Sequence, residues 1–232
     1  MKILLFMKLI KWLTQKKTDS KSALRDFTPE EFDKVKFKAR IAFIDDEEIT
    51  HIERLRKDGY NITSFSDIES IDDFVRKKYH VVVLDIQGVG QNIAPKTEGW
   101  GILKYLKSDC PNMVVIMYTG AEWSITKYKE EAEQADDFIG KDLEFLDFKS
   151  KLDDGIKKAF SLDYHFNIEK KNILKELSNS KSIEEIRSIA YTYGEDKSKA
   201  ITLISKITNN KVVLGSIEKF LSIANGIKEL LS

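Results

Sequence analysis

The chain has 232 residues, 42% of them apolar and 33% charged, which is enough for one large domain or two small ones with a sizeable core. Lys and Arg total 38, as do Asp and Glu, so no net field draws the chain as a whole to nucleic acid. The single cysteine, Cys110, excludes a disulfide framework within the chain and fits a reducing, cytoplasmic setting.

Residues 1–17 (MKILLFMKLIKWLTQKK) form an amphipathic stretch in which only Lys8 and Lys11 are polar between Ile3 and Leu13. As a helix those apolar residues would span about 16 Å, against a hydrocarbon core of about 30 Å. A clean apolar region and the small residues of a cleavage site are both missing, so the stretch reads as neither a membrane span nor a signal peptide. Two readings remain. One is a helix lying on an anionic membrane surface, at the inner membrane face, with Lys2, Lys8, Lys11, Lys16, Lys17 and Trp12 at the interface. The other is a docking helix that covers an apolar patch on this subunit or another. Residues 18–39 read as a linker with one short helix. Thr28-Pro29-Glu30-Glu31 supplies a cap, a proline at the first helical position and a glutamate three residues after the cap. Phe32, Val35 and Phe37 would dock that helix onto the following domain.

From 40 to 160, strands are expected at 41–45, 60–65, 80–85, 113–118 and 137–140, alternating with helices at 48–57, 68–78, 98–108, 122–134 and 143–160. The runs IAFI, VVVL and VVIM lack polar alternation, as strands buried on both faces of a parallel sheet do. The intervening helices imply right-handed crossovers. Trp100, Leu103 and Leu106 form the expected buried stripe of helix 98–108.

Residues 161–232 read as a small all-helical bundle. Its apolar faces are Ile173, Leu174 and Leu177, then Ile183, Ile186, Ile189 and Ala190, then Ala200, Ile201, Ile204 and Ile207. A last stripe runs from Val213 through Leu214, Ile217, Phe220, Leu221, Ala224 and Ile227 to Leu230, with breaks expected at Gly194 and Asn209-Asn210. This region holds 11 Lys and Arg against 9 Asp and Glu, and Arg187 is its only arginine. That balance argues for a protein partner or a second copy rather than DNA.

Chemistry concentrates at the strand ends. The segments RIAFIDDEE, HVVVLDIQG, MVVIMYTG and DDFIGKD deliver Asp45 and Asp46, then Asp85, then Thr119, then Lys141. In open α/β sheets ligands bind outside the carboxyl ends of the strands, so these groups would converge on one rim. Three carboxylates packed together repel unless a hard cation neutralises them, and Mg²⁺ takes oxygen ligands. Taken singly, the acid pair reads as a solvated turn and helix cap, Thr119 as a turn residue and Lys141 as a surface lysine. Their joint occurrence in this order is the signal.

In these four motifs residues 40–160 resemble the receiver domain of two-component response regulators. The resemblance implies a flavodoxin-like α/β fold with parallel sheet order 2-1-3-4-5 and a phosphorelay role. It implies Mg²⁺ held by Asp45, Asp46, Asp85 and the backbone carbonyl of Gln87. Asp85 would be the phosphoacceptor, Thr119 the switch hydroxyl, Lys141 the cation that pairs with the phosphoryl group, and Phe138 the switch aromatic. The implied partner is a histidine kinase or other phosphodonor. Catalysis would be limited to self-phosphorylation from phosphodonors and autodephosphorylation, so the chain is not read as an enzyme in the ordinary sense.

Two departures from the family pattern stand out. Asp142 follows Lys141 where the family usually has proline, and its carboxylate could compete for the lysine. The stretch from Asp85 to Gly99 is several residues longer than usual, with Gly88, Gly90 and Pro95 marking irregular chain. It reads either as a lid or partner contact beside the acceptor or as a tolerated surface insertion. The leading expectation is a phosphorylation-switched protein interaction through 161–232. Its rivals are a DNA-binding transcriptional regulator, a pseudo-receiver scaffold and an Mg²⁺-dependent phosphatase-like hydrolase. The histidines, His51, His80 and His165, lack metal-ligand spacing and read as incidental.

Overall fold

The structure, a computed structural model, describes residues 23–120 and 127–231. The amphipathic segment 1–17 and the start of the helix expected at 122–134 lie outside the described residues. Contacts divide the described chain into an α/β unit from residue 27 to 164, joined by the last residues from 230, and a helical unit of 23–26 and 165–229.

In the α/β unit, strands β1 (Arg40–Ile44), β2 (Asn61–Phe65), β3 (Val81–Asp85), β4 (Val114–Thr119) and β5 (Asp137–Gly140) form one sheet of order β2-β1-β3-β4-β5. Every pairing is parallel, with Ile41 opposite Val81, Val81 opposite Val114 and Ile116 opposite Asp137. This is the flavodoxin-like order that the resemblance implies. Strand β3 is buried along its whole length and β1 and β4 nearly so, whereas edge strand β2 is largely open. Uninterrupted apolar runs in β1, β3 and β4 follow from burial on both faces.

The helices of this unit are α1 (Pro29–Val35), α2 (His51–Lys57), α3 (Ile71–Arg76), α4 (Gly99–Asp109), α5 (Lys129–Ala132) and α6 (Phe145–Ala159). Thr28 and Glu31 close the expected capping box on α1, and Phe32 and Val35 are buried beneath it. Trp100, Leu103 and Leu106 of α4 are buried as expected and join Leu84, Val115 and Met117 in one core cluster. Helix α3 is shorter than expected because Ser70 caps it, its hydroxyl accepting from the Asp73 amide.

The helical unit comprises most of α7 (Leu162–Glu176), then α8 (Ser180–Tyr193), α9 (Lys197–Ile204) and α10 (Lys211–Lys228). Asn179, Asp196 and Asn210 cap α8, α9 and α10 through their side chains, and Gly194 ends α8, so both expected breaks are realised. Phe166, Tyr191 and Phe220 pack together at the centre, with ring centroids 5.3–6.0 Å apart. Leu24 belongs here too. It is buried, and its amide donates to the Tyr191 carbonyl at 2.8 Å. Leu174 departs from its expected apolar face: it is 51% exposed, because α7 buries Ile173 instead. Among the described residues no helix is long and apolar enough to cross a membrane.

Candidate functional site

Strand direction builds the site. Parallel pairing brings the C-terminal ends of β1, β3, β4 and β5 to the same edge of the sheet. Asp45 follows β1 directly, and its amide continues the ladder by donating to the Phe65 carbonyl at 3.0 Å. Its Oδ1 accepts from the Glu47 amide at 2.8 Å, which fixes the turn into α2. Asp85 is the last residue of β3, and its Oδ1 accepts from the Ile86 amide at 2.6 Å. The Gln87 amide lies 3.4 Å from the same oxygen, and the Gln87 side chain is exposed. Lys141 follows β5 and donates its amide to the Thr119 carbonyl at 3.1 Å.

These backbone anchors set a compact charge constellation. Lys141 Nζ lies 2.7 Å from Asp85 Oδ2, 3.1 Å from Asp45 Oδ2 and 3.8 Å from Glu47. Asp45, Asp46 and Asp85 each present a carboxylate oxygen within 4.8 Å of the others. Asp45 and Asp85 are buried while Asp46 is exposed. Burial raises the Asp85 pKa above the usual carboxylate range and the Asp45 charge adds to this, with Lys141 opposing. Burial also pulls against the Lys141 ammonium, but its bonds to Asp85 and Asp45 outweigh it, so its pKa rises and it stays cationic. Tyr118, opposite Asp85 in the β3–β4 register, is held neutral by burial and the Asp45 charge.

The donor set suits a hard cation. Asp45 Oδ2 is buried, and the Lys141 ammonium that approaches it at 3.1 Å is shared with Asp85. A buried carboxylate oxygen left this way is costly unless a further positive charge reaches it. With Asp46 on the solvent side, the three carboxylates offer oxygen ligands and leave room for water, as Mg²⁺ requires.

The remaining expected residues are placed as follows. Thr119 is half-buried at the end of β4, opposite Gly140. Phe138 is partly buried against the core cluster, its ring 6.4 Å from that of Trp100. Asp142 is not among the ion-pair partners of Lys141 in the described residues. Its carboxylate instead lies over the Gly140 backbone, where an added Cβ would stand 2.6 Å from Oδ1. The competition expected for Lys141 is therefore not seen; Glu47 takes that position.

The long loop after Asp85 is packed. Its ends meet where the Gly99 amide donates to the Ile86 carbonyl at 3.1 Å, and Val89 is fully buried. The Asp67 carboxylate accepts from the backbone amides of Gly90 and Gln91 and pins the loop to the β2–α3 connection. The histidines have structural partners: the His51 Nε2 lies 3.0 Å from the Leu143 carbonyl, and His80 Nδ1 accepts from the Arg40 amide at 2.9 Å. Glu47 is not singled out by the sequence, and His51, which reads there as incidental, contacts the Leu143 carbonyl. The acidic run DDEE was the only signal for the first, and the second acts on a loop 92 residues away.

Solved structures with the same architecture include the receiver domain of NtrX from Brucella abortus, at 22% identity, covering 50% of this chain and 98% of that one, TM-score 0.42. A CheY-like receiver domain protein from Methanospirillum hungatei JF-1 is 22% identical over 52% of this chain and 95% of its own, TM-score 0.42. The response regulator TrrA from Thermotoga maritima, in complex with Mg²⁺-BeF, is 22% identical over 50% of this chain and 98% of its own, TM-score 0.40. No protein-family model and no curated protein matches the chain. These likenesses cover about half of the chain.

Proposed function

We propose that the chain is a response-regulator-like signalling protein that accepts a phosphoryl group on Asp85 with Mg²⁺ and thereby switches the association of its helical region. The observation that carries this reading is Lys141 bridging Asp85 and Asp45 beside Asp46, at one edge of the sheet. Asp45, Asp46 and Asp85, with the Gln87 backbone carbonyl, would hold Mg²⁺, which supplies positive charge against the incoming phosphoryl dianion.

In the transfer, a carboxylate oxygen of Asp85 bonds to phosphorus as the donor's bond to phosphorus breaks, the electron pair leaving on the imidazole nitrogen of a phosphohistidine or on the bridging oxygen of an acyl phosphate. Lys141 releases Asp85 and pairs with a phosphoryl oxygen. Thr119, whose carbonyl already binds the Lys141 amide, turns its hydroxyl to another. Phe138 follows inward, so the phosphorylated state is selected by contacts absent from the free one. The phosphodonor is a histidine kinase or a small acyl phosphate.

Acetyl phosphate with Mg²⁺ is expected to add one phosphoryl group, about 80 Da by intact mass. Asp85→Asn abolishes the addition. No added mass under conditions that label a control receiver would leave the pseudo-receiver scaffold as the better reading.

A further inference from the structure

The loop after the acceptor strand places a glycine against the metal acids. Gly88 has φ +75° and lies three residues past Asp85. A Cβ built on it would stand 2.3 Å from Cγ, Oδ1 and Oδ2 of Asp46 alike, so the carboxylate lies flat over the Gly88 α-carbon. Asp46 is exposed, and among the described residues no hydrogen bond or ion pair holds its side chain. The Asp46 carboxylate thus packs on Gly88 beside the buried Asp45–Asp85 pair, whose two acids share one Lys141 ammonium.

We infer that Gly88 is a positioning residue for cation binding: its missing side chain lets Asp46 complete the three-carboxylate set, and any Cβ there turns Asp46 out of it. This rests on the Mg²⁺ reading above and deepens it. Because Asp46 is the free end of a side chain, it can swing away without disturbing the sheet. The loss thus falls on metal affinity rather than on folding. Gly90 provides the control. It has the same φ of +75°, but a Cβ there would face Ile102 at 3.1 Å and the Glu98 carbonyl at 3.2 Å, away from Asp46. Backbone strain is common to both glycines, but only at Gly88 would an added Cβ meet the Asp46 carboxylate.

Calorimetric titration of the full chain with MgCl₂ tests this. Gly88→Ala is expected to weaken binding about 10–100-fold, the size seen when a residue orienting a metal ligand is lost. Gly88→Asn does the same, and asparagine tolerates positive φ well enough to keep the fold. Gly90→Ala leaves the affinity unchanged. In an Asp46→Asn background Gly88→Ala adds no further loss, because its effect passes through Asp46. Unchanged affinity in both Gly88 variants, an equal loss in Gly90→Ala, or a full further loss in the Asp46→Asn background would each overturn the inference alone. A wild-type chain that takes up no Mg²⁺ would overturn the metal reading and this inference together.

Discussion

Lys141 stands between two buried carboxylates, and its single charge cannot neutralise both. The imbalance is visible in Asp85, whose pKa is raised first by burial and then by Asp45. Two substitutions should therefore act in opposite directions in metal-free buffer at neutral pH. Asp85→Asn removes the costly charge, leaves Lys141 to Asp45, and raises the urea midpoint. Lys141→Met leaves Asp45 and Asp85 facing each other unpaired and lowers it, by up to about 3–5 kcal/mol, the cost of breaking a buried pair. Mg²⁺ should restore part of that loss, since a ligand at one hundred times its dissociation constant adds about 2.7 kcal/mol. A lower midpoint for Asp85→Asn, or no change for Lys141→Met, would show that the cluster is solvated rather than strained.

At the scale of elements, β5 is held at both ends, by Lys141 after it and by Asp136 before it. Asp136 Oδ2 accepts from Lys107 Nζ at 2.6 Å and from the Val115 amide at 2.8 Å, and its Oδ1 accepts from the Tyr164 hydroxyl at 3.0 Å. Lys158 adds an ion pair at 3.1 Å. Burial, then the Asp136 charge and hydrogen bond, raise the Tyr164 pKa above its ordinary 10.0. Burial and the hydrogen bond to Asp153 do the same to Tyr60. A phenol raised in the folded state contributes stability that is complete below the unfolded value of 10.0 and is lost as pH climbs from there toward the folded value. Urea midpoints should thus fall steeply above about pH 10, each tyrosine contributing up to about 1.4 kcal/mol per pH unit. Tyr164→Phe should start about 1.5–3 kcal/mol lower, having lost a hydrogen bond to a charged group, and decline less steeply. Parallel curves for the two proteins would remove Tyr164 from the alkaline transition.

The same elements explain what could be read beforehand. IAFI, VVVL and VVIM announced their strands because burial on both faces leaves no polar alternation, and each strand's last residues carried the chemistry. Helix limits were less legible, since a cap such as Ser70 lies inside an apparently continuous pattern. Glu47, His51 and Gly88 stayed hidden for another reason. Each matters through a side chain or loop distant in sequence: Lys141, the Leu143 carbonyl and Asp46. Such pairings exist only once the sheet has brought the loops together. The length of the loop from 86 to 98 suggests a lid or an insertion, and nothing in its sequence points to Asp67, which pins it.

On the scale of the whole molecule, each unit has its own core and only the α/β unit carries a carboxylate cluster suited to a cation among the described residues. On the proposed phosphoryl switch, output would depend on what the helical unit can bind. Its charges are nearly balanced, 11 basic against 9 acidic over residues 161–232, so few phosphate contacts and little counterion release are available to it. It exposes apolar surface instead: Leu174 on α7 and Val212 on α10 are each 51% open. The Asn210 side-chain Nδ2 donates to the Glu176 carboxylate at 2.8 Å, so the end of α7 and the start of α10 meet within the unit. The outcome expected from the proposed switch is association with protein rather than DNA, shifted by phosphorylation if that modification selects a state with different contacts. Light scattering of the full chain with and without acetyl phosphate and Mg²⁺ should show a change in mass, absent in Asp85→Asn and reduced by Leu174→Ser with Val212→Ser. A sharp electrophoretic shift of DNA at about 150 mM salt, with a steep salt dependence, would instead identify the helical unit as a DNA reader.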